Sequence, residues 1–272
     1  MIQFNNHNIK AIEYSGHTIQ KVYGACSNSP VWEYSEPVPP STDGKFQYTL
    51  SGSTYTIPCN SSSALDKIND IITSLPSGAR STDITDGIVG DCVTTINNNC
   101  FNQSTNLTSL TISSSVTTIG DGAFYNCENL PTLIIPSGVT TIPSSMCEGC
   151  YYLSNTNIPS GVTSIDVDAY YDCLSLLNIT IPASVTSIGD DAFRAHNWDT
   201  EPLKTMKLNM ISNRRVTVLA TTPPTLGTGV FSIQTGEPDV ATYPIYVPAE
   251  SLNAYKTATN WSYYANRIFP IE

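Results

Sequence analysis

The chain carries little charge, and its middle has no positive charge. Lys, Arg, Asp and Glu make up 13% of the 272 residues, which is about half the usual share. Between Ser81 and Phe193 there is no Lys, Arg or His, whereas eleven acidic residues occur there. Because phosphate groups are bound mainly by Lys and Arg, this stretch argues against nucleic-acid binding and against docking on an anionic membrane.

Long apolar runs are absent too. None approaches the roughly 20 residues that a transmembrane helix needs, so no membrane insertion is expected. The N-terminus, MIQFNNHNIK, lacks the apolar core of a secretory signal, which predicts that there is no such peptide. Histidine is limited to His7, His17 and His196. With no G-x-S-x-G motif either, a Ser-His-Asp site is not indicated, and we expect a non-enzymatic protein that needs no cofactor and no metal.

A repeat of 23 residues dominates the sequence. Each of five units opens on the text V-T-T/S-I, beginning at Val93, Val116, Val139, Val162 and Val185. A large apolar slot follows, held by Phe101, Phe124, Cys147, Tyr170 and Phe193. Each unit is interpreted as one coil, with two short extended segments joined by a helical turn. A single coil cannot bury its apolar face, so the coils must stack into a solenoid.

The second unit, VTTIGDGAFYNCENLPTLIIP from Val116 to Pro136, resembles the BspA-like leucine-rich repeats almost throughout. The third unit departs most, with Pro143 in place of Gly and Met146-Cys147 in place of Ala-Phe. In the fifth unit, the second strand is expected late, at Leu203 to Leu208, after an insert that begins near His196. The fold class predicted is a β-rich leucine-rich-repeat solenoid, mainly β with short helical turns, flanked by small β and α+β end modules.

Five segments are predicted along the chain: a β meander at 1–35, a Pro-rich linker at 36–44, a hairpin–helix module and cap at 45–83, the solenoid at 84–215 with five coils from Val93, and a C-terminal capping module at 216–272. Within the third segment we expect strands at Lys45 to Leu50 and Thr54 to Pro58, then a helix from about Ser62 to Leu75. The last segment resembles the closing module of BspA-like proteins, with an isolated strand at Ile245 to Val247 and a helix from about Ala249 to Ala258.

The N-terminal pattern I-x-Y-x-G-x-x-I-x-K-V-Y, from Ile12 to Tyr23, followed by Val31-Trp32, resembles short modules on structural proteins of gut bacteriophages. This resemblance implies a virion location and attachment to other virion proteins through residues 1–35. The BspA-like repeats alone imply the alternative, a bacterial cell-surface adhesin. A glycan-active enzyme is a more distant alternative.

The cysteines and the paired aspartates allow more than one interpretation. Cys127, Cys150 and Cys173 are 23 residues apart; stacked coils would bring them close enough for a bond, but buried free thiols are preferred. Cys147 and Cys150 form a C-x-x-C, the spacing of a redox or zinc site, but such a site wants a second ligand pair or a βαβ context. Both cysteines occupy core slots of the repeat, so a structural role is preferred. Asp166 with Asp168, and Asp190 with Asp191, offer either a weak cation site or stabilisation of a helical turn, and the second is preferred.

One surface remains as a candidate binding site. The outward positions of the second strand in successive coils are predicted to form a flat ladder of small polar groups that binds a glycan or a protein. Its members are Ser109, Thr111, Thr132, Asn155, Asn157, Asn178 and Thr180. A solvated face with no ligand is the alternative, and the sequence leaves the oligomeric state open.

Overall fold

The computed structural model describes residues 12–14, 17–19, 46–50, 52–59, 62–65, 81–196, 214–234 and 243–272. The chain divides into two units, Met1–Ser41 and Thr42–Glu272. In the first unit, β1 (Ile12–Tyr14) and β2 (His17–Ile19) form an antiparallel pair. This is the first hairpin of the predicted meander; the rest of that meander and the Pro-rich linker lie outside the described residues.

In the second unit, the opening strands of the coils form what we call the first ladder. Its strands are β5 (Ala64–Leu65), β7 (Thr95–Ile96), β9 (Thr118–Ile119), β11 (Thr141–Ile142), β13 (Ser164–Ile165), β15 (Ser187–Ile188) and β18 (Thr225–Leu226). They pair in parallel as β5-β7-β9 and β11-β13-β15-β18. The strand at Ala64–Leu65 corrects the helix predicted from Ser62, because these two residues pair with Thr95 and Ile96; residues 66–80 lie outside the described part.

The closing strands of the coils form the second ladder. It contains β6 (Ile84–Val89), β8 (Ser109–Ile112), β10 (Thr132–Leu133), β12 (Asn155–Thr156), β14 (Asn178–Ile181), β17 (Arg215–Val218), β20 (Ile245–Val247) and β21 (Ile268–Pro270). A short 3-10 helix, Ser81–Asp83, leads into β6. The predicted hairpin is present as β3 (Phe46–Leu50) and β4 (Ser53–Ile57), and β3 pairs antiparallel with β6. The hairpin therefore extends the sheet at its N-terminal end.

The fifth coil differs from its prediction. Its closing strand is β17, which pairs in register with β14 from Asn178↔Arg215 to Ile181↔Val218. The predicted strand, Leu203 to Leu208, lies outside the described residues. The register sets the equivalent residues 37 apart rather than 23, so an insert has displaced the strand further than the local apolar pattern indicated.

The repeat also continues beyond the boundary predicted at residue 216. Thr225–Leu226 pairs with β15, and β19 (Ile233–Gln234) pairs with β16 (Ala195–His196). These pairings make a sixth coil. The end follows as a 3-10 helix (Ala249–Ser251), α1 (Leu252–Thr257), a 3-10 helix (Trp261–Arg267) and β21. The predicted strand Ile245–Val247 is present but not isolated, since it lies between β17 and β21.

Turns join the two ladders on the third side of each coil. Alternate backbone N–H groups in these turns donate to the next coil, as from Phe124 to Met146 and from Tyr170 to Ala192. One turn position has a left-handed backbone throughout, with φ between 51° and 67° at Asn99, Gly122, Ser145, Asp168, Asp191 and Gly229. Residues at this position are Gly, Asn, Asp or Ser, of which Gly, Asn and Asp are the types that adopt this conformation at least cost.

The core runs along the solenoid as columns of equivalent residues. Ile119, Ile142 and Ile165, like Leu130, Leu153 and Leu176, are at most 5% exposed, as predicted. Aromatic rings stack at both ends, with centroids 5.4 Å apart for Phe101–Phe124 and 5.2 Å apart for Tyr170–Phe193. The predicted fold class is therefore confirmed. Among the described helices, none has the length and apolar character to cross a bilayer.

Proline interrupts both ladders near the third coil. In the first ladder, the residue after each strand donates its N–H to the preceding coil, as Gly120 does to Ile96 and Asp166 to Ile142. Pro143 holds this position in the third coil and has no N–H to donate. Pro131 similarly replaces Thr108, whose N–H donates to Thr85. The breaks between β9 and β11 and between β8 and β10 follow from these two prolines.

Candidate functional site

The predicted polar ladder lies on the outward face of the second ladder. Five of its members are exposed, namely Ser109, Thr111, Asn155, Asn178 and Thr180, while Thr132 and Asn157 are half-buried. The strands that carry them pair side by side over part of the sheet, with Thr132 opposite Asn155. The structure thus places small neutral groups on one face, at the strand spacing of about 4.8 Å.

Asn157 has a different role from its neighbours. Its Nδ2 donates to the carbonyl of Ile135 at 2.9 Å, and its Oδ1 accepts from the N–H of Ile135 at 2.7 Å. The carboxamide therefore reproduces the pair of hydrogen bonds that a neighbouring strand would make. Because both of its polar atoms are already engaged within the fold, Asn157 is a structural member of this face.

The sequence did not predict how far the face extends towards the C-terminus. Thr180 pairs with Thr217, Thr217 with Tyr246, and Tyr246 with Phe269. The guanidinium of Arg215 lies 3.8 Å from the ring centre of Tyr246. Arg215 and the aromatic residues give this end more charge and apolar area than the Ser/Thr/Asn part. The alternation of Ile245-Tyr246-Val247 was visible in the sequence. Which strands lie beside it was not, because that depends on the 37-residue offset between β14 and β17.

A cavity of about 240 Å³ opens beside this face, between β12 and β14. These two strands belong to separate sheets. Thr156, Asn157, Asn178 and Thr180 supply polar lining, and Ile158, Leu176 and Phe193 supply apolar lining. Tyr170 also lines the cavity; it is 1% exposed, and among the described residues its hydroxyl has no hydrogen-bond partner. Sequence reasoning treated Tyr170 only as an apolar slot.

The acidic residues proposed as a weak cation site are used within the solenoid. Oδ1 of Asp190 accepts from the backbone N–H of Thr228 at 2.6 Å, and Asp191 pairs with Arg194 at 3.0 Å. Asp168 and Asp191 hold the left-handed position of a non-helical turn, which corrects the preferred interpretation that they stabilise a helix dipole. Within the described residues no group of three or more His, Cys, Asp or Glu side chains is placed to hold a metal ion.

On the turn side of the solenoid, carboxylates nevertheless lie close enough to repel one another. Burial, with the nearby carboxylates of Glu148 and Asp191, raises the pKa of Asp168 to about 6. A second cavity, of about 350 Å³, is lined by Tyr125, Tyr151, Tyr171, Glu148 and Asp172 among others. Burial and the carboxylate of Asp172 raise the pKa of Tyr171 to about 12. The turn side therefore carries a concentrated negative potential.

The repeat cysteines are buried free thiols, as preferred from the sequence. Cys127, Cys150 and Cys173 each place Sγ 3.1 Å from a backbone carbonyl of the preceding coil. Burial raises the pKa of Cys127 and of Cys173 well above the ordinary value for a thiol, so both stay protonated and unreactive at neutral pH. Cys147 is free and buried as well.

A disulfide joins Cys59, directly after the hairpin, to Cys92, directly before the first V-T-T-I unit. Sequence reasoning missed this bond. The available signal was that neither cysteine occupies the repeat slot held by Cys127, Cys150 and Cys173. The bond ties the hairpin to the first coil across a sequence separation of 33 residues.

His17 begins β2, in the unit Met1–Ser41, and His196 ends β16, in the other unit. His7 lies outside the described residues.

The match to a family model supports the repeat assignment. Residues 79–198 match the family model described as "BspA type Leucine rich repeat region", in six copies. A leucine rich cell surface protein from Faecalibacterium prausnitzii A2-165 is similar, with 25% sequence identity and a TM-score of 0.42, over 65% of this chain and 47% of that one. This chain thus spans about half of that protein's length. No curated protein sequence matches.

None of these comparisons bears on the resemblance of residues 12–32 to phage modules, which stays a prediction. The family match covers fewer than half of the 272 residues, and the hairpin and the C-terminal helices lie outside it. Residues 79–198 are therefore similar to the BspA-type leucine-rich repeat region.

Proposed function

We propose that the chain is a non-enzymatic adhesion protein of a bacterial cell surface, which binds a protein or glycan through the outward face of the second ladder. The observation that carries this proposal is the row of exposed hydroxyl and carboxamide groups on parallel strands, from Ser109 to Thr180. Neutral groups of this kind can both donate and accept hydrogen bonds. Their exposure to solvent leaves them available to a partner.

The chemistry of the face supports binding rather than catalysis. Hydroxyl and carboxamide groups do not ionise near neutral pH, and no residue on this face between Ser109 and Thr180 is charged. The free thiols of the described residues, which could otherwise act as nucleophiles, are buried in the core. A repeat solenoid is also well suited to this task, because stacking coils produces an extended and continuous surface.

The disulfide between Cys59 and Cys92 supports a location outside the cytoplasm. Such bonds persist in oxidising compartments and are rare where glutathione keeps thiols reduced. A virion protein assembles in the reducing cytoplasm, so the bond favours the cell-surface alternative over the virion. Attachment to other virion proteins through residues 1–35 stays a prediction, since the structure describes only β1 and β2 of that segment.

The test is to block the face with bulky charge. In the variant T111R/N155R, two exposed positions gain a guanidinium, and we expect adhesion to immobilised mucin glycoproteins and extracellular-matrix proteins to be lost. The matched control is T118R/T141R, which changes two exposed threonines of the first ladder. Equal adhesion by both variants and the unmodified chain would contradict the proposal, as would equal loss from both.

The location has its own test. A membrane-impermeant amine label applied to intact cells that produce the chain should modify Lys256, which lies in α1. Labelling only after lysis would contradict a surface location. Thiol counting on the purified chain then checks the disulfide, since reduction should expose two more thiols than denaturation alone.

A further inference from the structure

The third coil and the coil that follows it depart from the repeat in a coordinated way. At the inward position of the second ladder, the other coils carry Leu110, Leu133, Ile179, Val216 and Ile245, whereas the third coil carries Thr156. In the aromatic column, Phe101, Phe124, Phe193 and Phe231 are apolar, whereas the fourth coil carries Tyr170. Each departure adds one hydroxyl to an otherwise apolar column.

Both added hydroxyls belong to residues that line the cavity of about 240 Å³ between β12 and β14. Burial raises the pKa of Tyr170, and Thr156 lies close enough to oppose that rise. The two nevertheless make no hydrogen bond of normal geometry. A buried hydroxyl without a partner is uncommon in native proteins and calls for an explanation. The stacking of Tyr170 on Phe193 requires only its ring, so the hydroxyl is not explained by packing.

The lining restricts the chemistry of a ligand. Thr156, Asn157, Asn178 and Thr180 are polar and uncharged, and Ile158 and Leu176 add apolar surface. With no charged side chain in the lining, a charged ligand would lose its hydration without gaining a counter-charge. A volume of about 240 Å³ is below the roughly 300–1,000 Å³ of pockets for drug-sized ligands. One six-membered ring with several hydroxyls fits both the size and the mixed lining.

We propose that this cavity binds one neutral pyranose unit, with the hydroxyl of Tyr170 as its buried hydrogen-bonding anchor. The inference rests on the proposed function, since it names the glycan unit and one subsite beside the same face. The exposed groups of Asn178 and Thr180 continue outward from the cavity, so a glycan bound there would run onto the polar ladder.

The experiment uses the full chain and four probes: the methyl glycosides of glucose, galactose, mannose and N-acetylglucosamine. Saturation-transfer NMR and titration calorimetry should detect binding of at least one of them, whereas N-acetylneuraminic acid and glucosamine, which are charged, should not bind. The variant Y170F keeps the ring that other coils carry, so it should fold. We expect it to bind the sugar about three- to tenfold more weakly, the range for one lost hydrogen bond.

Two further variants sharpen the result. T156V restores the apolar type of residue found in the other coils, and it should weaken the binding of the sugar by a similar factor. Y171F, the matched control, removes a hydroxyl from the adjacent residue, which lines the other cavity, and should leave sugar binding unchanged. Absence of binding by all four neutral probes would overturn the inference, as would equal binding by Y170F, T156V and the unmodified chain. A lowered melting temperature of Y170F without any sugar binding would show that the hydroxyl is hydrogen-bonded to water within the cavity, and would overturn the inference too.

The outcomes separate this inference from the proposed function. If no sugar bound and T111R/N155R lost adhesion, the pyranose site would be contradicted and the adhesion face would be supported. Sugar binding that depends on Tyr170, together with normal adhesion by T111R/N155R, would sink the adhesion face and leave the cavity standing. Neither Thr111 nor Asn155 lines the cavity.

Discussion

The second and third coils have the same length but are held to their neighbours in different ways. Gly120 in the second coil donates its N–H to the carbonyl of Ile96 in the preceding coil. In the third coil, Pro143 has no N–H to donate, and the side chain of Asn157 binds both polar groups of Ile135. The loss at Pro143 lies in the first ladder, whereas Asn157 acts in the second ladder, directly after the pairing of β10 with β12 ends at Thr156. The comparison teaches that a side chain can supply the backbone pairing where two strands separate.

The fifth coil gives a second case of the same kind. Its closing strand arrives late, and Arg214, directly before β17, is 2% exposed. Its guanidinium donates to the carbonyls of Cys173, Leu176 and Phe193, at 2.8, 3.0 and 2.9 Å. One side chain thus joins carbonyls from the fourth and fifth coils. In the regular coils, by contrast, backbone hydrogen bonds between equivalent positions join one coil to the next.

The largest loss of stability is expected at Arg214, where one side chain replaces several backbone hydrogen bonds. Replacing Arg214 by Met keeps the apolar stem but removes all three donors, and it should lower the free energy of unfolding by about 3–5 kcal/mol, because three carbonyls lose hydrogen bonds from a charged group. Chemical denaturation measures this change. The adjacent Arg215 is exposed, so R215M should cost less than about 1 kcal/mol. Similar losses from the two variants would contradict the assigned role of Arg214.

A regular core position should come next. Ile142 is fully buried in β11, and I142A should lower the free energy of unfolding by about 2–5 kcal/mol, from lost burial and the cavity left behind. Its neighbour Thr141 is exposed on the same strand, and T141A should change stability by no more than about 0.5 kcal/mol. If I142A left the free energy of unfolding unchanged, Ile142 would not be stacked in register with Ile119 and Ile165.

The substitute hydrogen bonds of the third coil should have a smaller effect. N157A removes both bonds to Ile135 and leaves its backbone groups unpaired, which should cost about 1–3 kcal/mol. Asn155 has the same side chain on the same strand segment but is exposed, so N155A should cost no more than about 0.5 kcal/mol. Equal effects would show that the bonds seen at Asn157 add nothing to stability.

The regular part of the fold could be predicted because each coil must bury apolar residues at the same positions. A column such as Ile119, Ile142 and Ile165 is visible as a spacing, and the same spacing fixes the parallel register. The strand at Arg215–Val218 could not be placed in this way, because the insert before it has no period. Its partner is set by long-range contacts of Arg214 and of the sheet, which a local pattern does not contain.

The candidate site shows the same limit. The outward positions Ser109, Thr111 and Asn178 followed directly from strand alternation. The cavity beside them did not, because it depends on which strands fail to pair. Thr156 and Tyr170 were not recognised as departures from the repeat, and that they line one cavity depends on how adjacent coils stack. The disulfide was missed for a related reason, since spacing alone does not specify pairing among eight cysteines.

The smallest effect separates two turns that have the same backbone. Ser145 and Asp168 hold equivalent left-handed positions, with φ of 51° and 57°. Only Asp168 has a carboxyl there, and burial together with Glu148 and Asp191 raises its pKa to about 6. In the unfolded chain an Asp has a pKa of about 3.9. The folded state therefore binds the proton more tightly, and its stability should fall as the pH rises from about 4 to about 6.

D168N and D168S remove this titration and keep side chains that tolerate the turn, since Asn and Ser already occupy the position at Asn99 and Ser145. Thermal melts across this pH range should therefore show both variants gaining on the unmodified chain as the pH rises. Below pH about 4, where the carboxyl is protonated in both states, the advantage should disappear. Stability curves of variants and unmodified chain that stay parallel through the window would contradict the raised pKa. The sign is diagnostic, because a carboxylate stabilised by a cation such as Arg194 would make both variants lose stability at neutral pH.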